Sequence, residues 1–196
     1  MKVLGITGGV GAGKSSVLSI LEQEYDAFII RADDVAKQLQ EPGQPGYLRL
    51  TELFGDMILD SDKKISRTRL ADLIFNDETR LAQVNEIIHP LTWERIRALI
   101  RSRQAELTAV ESALFGRETS SYCNEIWFID AAEETRISRL MESRGYTREK
   151  ARKIMQNQPD RETFLAIADQ VIDNNKTAAD VRRQMKQLLQ TEGKKI

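Results

Sequence analysis

Residues 1–21 read MKVLGITGGVGAGKSSVLSIL: an apolar run, a glycine-rich loop and a second apolar stretch at helical spacing. Val3, Leu4 and Ile6 precede the loop, and Val17, Leu18, Ile20 and Leu21 follow it with the period of an amphipathic helix. Gly8, Gly13, Lys14 and Ser15 complete the pattern G-x-x-x-x-G-K-S, and strand, loop, helix is the context in which that pattern grips phosphate. Glycines let successive N–H groups turn inward around an anion, and the helix start adds the positive end of its dipole. Lys14 reaches terminal phosphates, and Ser15 presents a hydroxyl to Mg²⁺. These residues predict a purine nucleoside triphosphate with Mg²⁺. Gly8, Gly9, Val10, Gly11, Ala12, Gly13, Lys14, Ser15 and Ser16 are its expected holders.

The 196 residues suffice for one core and a small appended lobe. Basic and acidic residues number 29 and 30, so nothing favours bulk attraction to nucleic acid or an anionic membrane. Cys123, the single cysteine, lies in YCNEIWFID (122–130); it has no internal disulfide partner and reads as a buried thiol. No apolar stretch is long enough to span a bilayer, and the first one ends in the glycine loop. A cytoplasmic protein is expected. The polar tail QTEGKKI (190–196) is expected to fray.

β-type runs at 3–7, 27–30, 107–110, 126–129 and 171–172 alternate with helical patterns. They predict an α/β fold, a parallel sheet flanked by helices. Ligands of such sheets gather beyond the carboxyl ends of the strands, which places residues 8–15, Asp33, Glu111 and the segment after Asp130 at one expected crevice. Between the second and third strands helical signal covers 34–40, 46–54, 67–75 and 77–103, with a turn over 55–64. This is too long for a crossover and reads as a helical side domain, residues 34–104. Residues 1–33, 105–135 and 159–196 then form the nucleotide-binding core. A polar helical segment, 133–158, carries Arg136, Arg139, Arg144, Arg148, Arg152 and Lys153; Gly145 breaks it and Pro159 closes it.

The guanine-reading NKxD pattern is absent, since Asn175-Lys176 is followed by Thr177 and Ala178. The acid pair of a motor ATPase is absent too: Asp130 has no acidic neighbour before Glu133. What remains is a compact kinase for a small acceptor. Its chemistry needs an acid to orient the attacking hydroxyl, groups to organise the metal, and mobile cations to neutralise the moving phosphoryl group. Asp33 follows the strand FII and suits the first role, although Asp33 or Asp34 equally suits a helix cap. Glu111 suits a metal-side carboxylate acting through water, or a helix-start acid. Arg144, with Arg139 and Lys153, suits a closing lid over 136–158, or a solvated face paired with Glu142 and Glu149. His89, the only histidine, precedes Pro90 and reads as a brace for a turn there.

In order along nearly the whole chain, GITGGVGAGKSS (5–16), ADDVAKQL (32–39), EPG (41–43), LFG (53–55), ISRTRLADLIF (65–75), HPL (89–91), RLMESRGYTREKARKIMQNQ (139–158) and ADQVIDNN (168–175) resemble the dephospho-CoA kinases. The resemblance implies a P-loop NTPase fold and transfer of the ATP γ-phosphoryl group to the ribose 3′-hydroxyl of dephospho-CoA, the last step of coenzyme A synthesis. It implies Lys14 and the loop on the phosphates, Ser15 on Mg²⁺ and Asp33 as the catalytic acid. Glu41, Pro42, Gly43, Arg67 and His89 would lie in a CoA-binding insertion, Arg144 in the lid, and Asn174 and Asn175 beside the ATP base. A monomer, or a weak trimer, is expected. Three positions depart from the pattern. Arg31 replaces the first acid of DAD, VESALFGRE (110–118) replaces DxPLLFE, leaving Glu111 for the acidic role, and Lys153 replaces an arginine.

Overall fold

The computed structural model describes residues 1–75, 77–113 and 115–191. Its strands are β1 (Lys2–Thr7), β2 (Phe28–Arg31), β3 (Leu107–Glu111), β4 (Glu125–Asp130) and β5 (Gln170–Asp173). Its helices are α1 (Lys14–Tyr25), α2 (Ala32–Leu39), α3 (Pro45–Phe54), α4 (Arg67–Ile74), α5 (Glu78–Arg103), α6 (Arg117–Ser120), α7 (Glu133–Arg144), α8 (Arg148–Gln156), α9 (Arg161–Ile167) and α10 (Ala178–Thr191). The chain divides into two compact units, one of residues 1–29 and 104–196, the other of residues 30–103.

The sheet runs in the order β2-β3-β1-β4-β5, with β1 parallel to β3 and β4, and β4 parallel to β5. It is the parallel α/β sheet read from the sequence. In the first unit, period-2 alternation sends Leu4, Ile6, Trp127, Ile129 and Ile172 to one face, where they meet Val17, Leu18 and Leu21 of α1 and Val181 and Met185 of α10. On the other face β1 places Gly5. A Cβ there would lie 2.9 Å from the Phe115 ring and 3.2 Å from Cys123 Sγ, so the missing side chain makes room for both. Phe115 is fully buried, which explains why the altered segment keeps this ring.

The residue 30–103 unit has its own core of Leu50, Phe54, Ile58, Leu59, Leu70 and Val84. The turn expected over 55–64 is a short 3-10 turn, Gly55–Ile58, followed by an antiparallel bridge between Leu59 and Ile65. Asp60 closes it by accepting from the N–H groups of Asp62 and Lys64, both at 2.9 Å. Ser66 caps α4 by accepting from the Arg69 N–H.

Several readings change. Helix α5 runs unbroken through Pro90, so no turn exists for His89 to brace. Proline removes one helical donor, but a helix of this length with a buried face tolerates the loss. Helix α2 starts at Ala32 with Arg31 as its N-cap, so neither Asp33 nor Asp34 is the cap. Helix α10 includes Gln190 and Thr191, two of the tail residues expected to fray; residues 192–196 lie outside the described residues. Its start is fixed by Thr177 and Asp180, whose hydroxyl and carboxylate bond at 2.7 Å and hold the Asp180 carboxyl down at about 2. None of the described helices is long and apolar enough to cross a membrane.

Cys123 is half-buried, and burial, followed by the charge of Asp169, pushes its thiol up to about 12. At pH 8 the reactive thiolate is then a fraction of about one in ten thousand. Thiol-reactive dye is expected to label Cys123 in the folded protein at least ~100-fold more slowly than in the unfolded chain. Equal rates would contradict the packing against Gly5.

Candidate active site

Beyond β1 the chain turns through residues 8–13 and enters α1 at Lys14. Gly13, the residue before the helix, has φ +94°, a left-handed conformation that side chains rarely adopt. The N–H groups of Gly11, Gly13 and Ser15 have no hydrogen-bond partner among the described residues. They stand at the positive end of α1 as donors for an anion. The Ser15 hydroxyl is exposed, with no partner among the described residues. Ser16 donates its N–H to the Gly13 carbonyl at 3.1 Å. Lys14 curls over the loop. Its ammonium donates to the carbonyl of Gly8 at 2.8 Å and lies 3.6 Å from Glu111 Oε1. Lys14 and Glu111, predicted separately for phosphate and metal, therefore meet near the ends of β1 and β3.

Another part of the loop is held by residues that lie outside the G-x-x-x-x-G-K-S pattern. Val10 donates its N–H to Gln158 Oε1 at 2.7 Å and accepts at its carbonyl from Arg136 Nε at 2.9 Å. Arg136 also donates to Gln158 Oε1 at 3.2 Å. Burial pulls the Arg136 guanidinium pKa down, against Glu133 and Asp130, which raise it. The Ala12 carbonyl accepts from Asn174 Nδ2 at 2.7 Å and from Arg139 at 3.3 Å. Arg139 in turn donates to the Asn174 carbonyl at 2.8 Å. Asn174 is buried, and its backbone N–H bonds the Asp130 carbonyl at 2.8 Å while its amide holds the loop. Asn175 is exposed and bonds the Ala132 N–H at 2.7 Å.

Two glycines make this contact possible. A Cβ on Gly13 would fall 2.1 Å from Asn174 Nδ2, and one on Gly9 would fall 2.2 Å from the Arg136 guanidinium. A cavity of about 610 Å³ adjoins Gly9 and Ala12, lined among others by Phe128, Asp130, Arg136, Gln158, Phe164 and Asn175. Phe128 and Phe164 stack at 5.1 Å to form its apolar wall.

The other predicted residues are spread over the helices. Asp33 lies in the first turn of α2, exposed, its carboxylate without a partner among the described residues; Asp34 pairs with Lys37 at 3.0 Å. Glu41, Pro42 and Gly43 form an exposed turn before α3, and Arg67 is exposed at the start of α4. His89 is exposed on α5, edge-on to Trp93 at 6.4 Å, and shares an open concavity with Asn85, Glu86 and Pro90. Arg144 ends α7, exposed and unpartnered among the described residues. Among the described residues no ion pair joins this segment to Glu142 or Glu149, the alternative to a lid. Glu134 takes Arg148 at 2.6 Å and Arg152 at 3.4 Å, tying α7 to α8. Among the described residues no cluster of three His, Cys, Asp or Glu side chains could hold a metal ion. Ser15 with one carboxylate fits Mg²⁺ nonetheless, because that ion takes few protein ligands and shares the phosphates.

Residues 2–180 match the family described as CoaE: Dephospho-CoA kinase. The chain belongs to the dephospho-CoA kinase family. It is 36% identical over 187 residues to the dephospho-CoA kinase of Streptomyces avermitilis, covering 94% of this chain and 91% of that one. It is 33% identical over 194 residues to that of Carboxydothermus hydrogenoformans, covering 97% and 94%. A solved Thermus thermophilus protein superposes with a TM-score of 0.82 at 25% identity, covering 97% of both chains. Within the dephospho-CoA kinase family, the loop grip by Arg136, Arg139, Gln158 and Asn174 is a feature of this chain's geometry that the G-x-x-x-x-G-K-S signature leaves unstated.

A Gly9→Ala change should act by expelling Arg136. Its cost in kcat/KM for ATP is expected to be about tenfold in the wild-type background and under about threefold once Arg136→Ala is present. Equal costs in the two backgrounds would show that Gly9 serves the nucleotide directly.

Proposed function

We propose that this protein transfers the γ-phosphoryl group of ATP to the ribose 3′-hydroxyl of dephospho-CoA, giving CoA and ADP. The observation that carries this reading is the open set of N–H donors at Gly11, Gly13 and Ser15 beside Lys14, in a chain whose family match spans residues 2–180. The triphosphate lies against those donors, and Lys14 turns from the Gly8 carbonyl toward the terminal phosphates. Ser15, and Glu111 through water, would hold Mg²⁺, whose charge would offset that of the phosphates.

In the transfer, the bond from the γ-phosphorus to the ADP oxygen breaks as a new bond forms to the 3′-oxygen. The Asp33 carboxylate orients that hydroxyl and takes its proton late, since a carboxylate is a weak base toward an alcohol. Glu41, Pro42, Gly43, Arg67 and His89, all exposed in the residue 30–103 unit, form the CoA-binding surface. Arg144, with no partner among the described residues, supplies mobile positive charge from the lid formed by α7 and α8. Asn175 borders the nucleotide base, whereas the buried Asn174 amide shapes the loop that carries it. The near-neutral chain acts on small molecules, with neither nucleic acid nor membrane as a partner.

With Mg²⁺ and ATP, ADP should appear only when dephospho-CoA is added, and mass spectrometry should find the acceptor heavier by one phosphoryl group. Asp33→Asn is expected to lower kcat by about 10²-fold or more with the ATP KM little changed. An Asp33→Asn enzyme within threefold of the wild type would remove Asp33 from the proton transfer. ATP binding without any acceptor-dependent ADP would instead overturn the choice of acceptor.

A further inference from the structure

Gln158 stands just past α8, where its N–H bonds the Met155 carbonyl at 3.1 Å and Pro159 follows. Its side-chain oxygen has two lone pairs, and the structure fills both: one with the Val10 N–H at 2.7 Å, the other with Arg136 Nη2 at 3.2 Å. Arg136 closes the circuit by donating Nε to the Val10 carbonyl at 2.9 Å. One peptide unit on each side of Val10 is thereby fixed from outside the loop.

The direction of those bonds matters for anion binding. A peptide whose N–H points outward cannot also point into the loop, so the clasp decides which donors face the phosphates. With the Val10 N–H engaged, those of Gly11, Gly13 and Ser15 remain without a partner among the described residues and are the donors left for an anion. Free of the clasp, the Val10 peptide could rotate, and the cost of ordering it would fall on nucleotide binding.

We propose that Gln158 is a positioning residue which, through Arg136 and the Val10 peptide, sets the phosphate loop in its ATP-receiving conformation and links it to the end of α8. This rests on the reading of residues 8–16 as the ATP site. Gln158 touches no reacting atom. It acts by holding a backbone. Because α8 is tied to α7 by Glu134, Arg148 and Arg152, a shift of that helical pair is felt at the loop through Gln158.

The test uses the full chain and measures ATP dissociation constants by calorimetry beside steady-state kinetics. Gln158→Met keeps the length of the side chain and removes both hydrogen bonds. It should weaken ATP binding about tenfold, with the KM for dephospho-CoA within twofold of wild type, a split that a general loss of folded protein would not produce. Gln158→Glu keeps an oxygen able to accept both bonds, and should return ATP binding to within about threefold of wild type. Should Gln158→Met fail to fold, Arg136→Lys, which keeps the charge but loses the two-pronged donor, is expected to show the same split. Unchanged ATP binding in Gln158→Met, or a Gln158→Glu protein as weak as Gln158→Met, would overturn the proposal. A wild-type protein that binds no ATP would overturn the nucleotide reading beneath it.

Discussion

The carbonyl of Ala12 anchors the phosphate loop, and the rest of the site depends on that anchor. It is held by the buried amide of Asn174 at 2.7 Å and by Arg139, while the neighbouring Val10 peptide is held by Gln158 and Arg136. A glycine-rich loop has many conformations open to it, and ordering one costs free energy at each residue. In this protein that cost is met during folding, by side chains from α7, the end of α8 and the residue after β5, before an anion arrives. An Ala12 carbonyl or Val10 N–H left without its partner would cost about 1–3 kcal/mol. The outer bonds consequently shape the inner surface. The N–H groups of Gly11, Gly13 and Ser15 are left without a partner among the described residues, while the Val10 peptide and the Ala12 carbonyl are occupied.

Charge is arranged on the same plan. The whole chain is close to neutral, so attraction for a triphosphate is local. Lys14 is parked between the Gly8 carbonyl and Glu111, a contact that keeps its partly buried ammonium neutralised in the absence of phosphate. The arginines of α7 divide their labour by position. Arg136 and Arg139 face the loop and are consumed in holding it, whereas Arg144, at the last turn, retains an unpaired guanidinium among the described residues.

The architecture was largely legible in the sequence because period-2 apolar runs and a strongly constrained loop leave few alternatives. All five strands were found within a residue or two of their expected bounds. The errors are local and have physical causes. His89-Pro90 reads as a turn because proline lacks an N–H, yet α5 is long enough, and buried on Val84, Leu91 and Ile96, to carry one missing bond. A helix cap was one of two readings open for Asp33, with Asp34 as the other candidate, and it falls away because α2 begins directly after the strand and leaves Arg31 in the cap position. The grip on the loop was not legible at all. Gln158, Asn174 and Arg136 lie 148, 162 and 126 positions from the loop residues they bond, and no spacing rule spans such separations. Asn174 and Asn175 read alike in the sequence, while burial separates them: the buried Asn174 amide bonds the loop and the exposed Asn175 lines the cavity.

Amide hydrogen exchange of the nucleotide-free protein, read residue by residue by NMR, tests most directly whether the loop is set from behind. The Val10 N–H should be protected by about 10²-fold or more without nucleotide, whereas those of Gly11, Gly13 and Ser15 exchange readily until Mg²⁺ and ATP are added. Exchange of Val10 as fast as its neighbours, with protection gained only on adding ATP, would show that the nucleotide orders the loop and would contradict a loop set in advance by Gln158, Arg136 and Asn174.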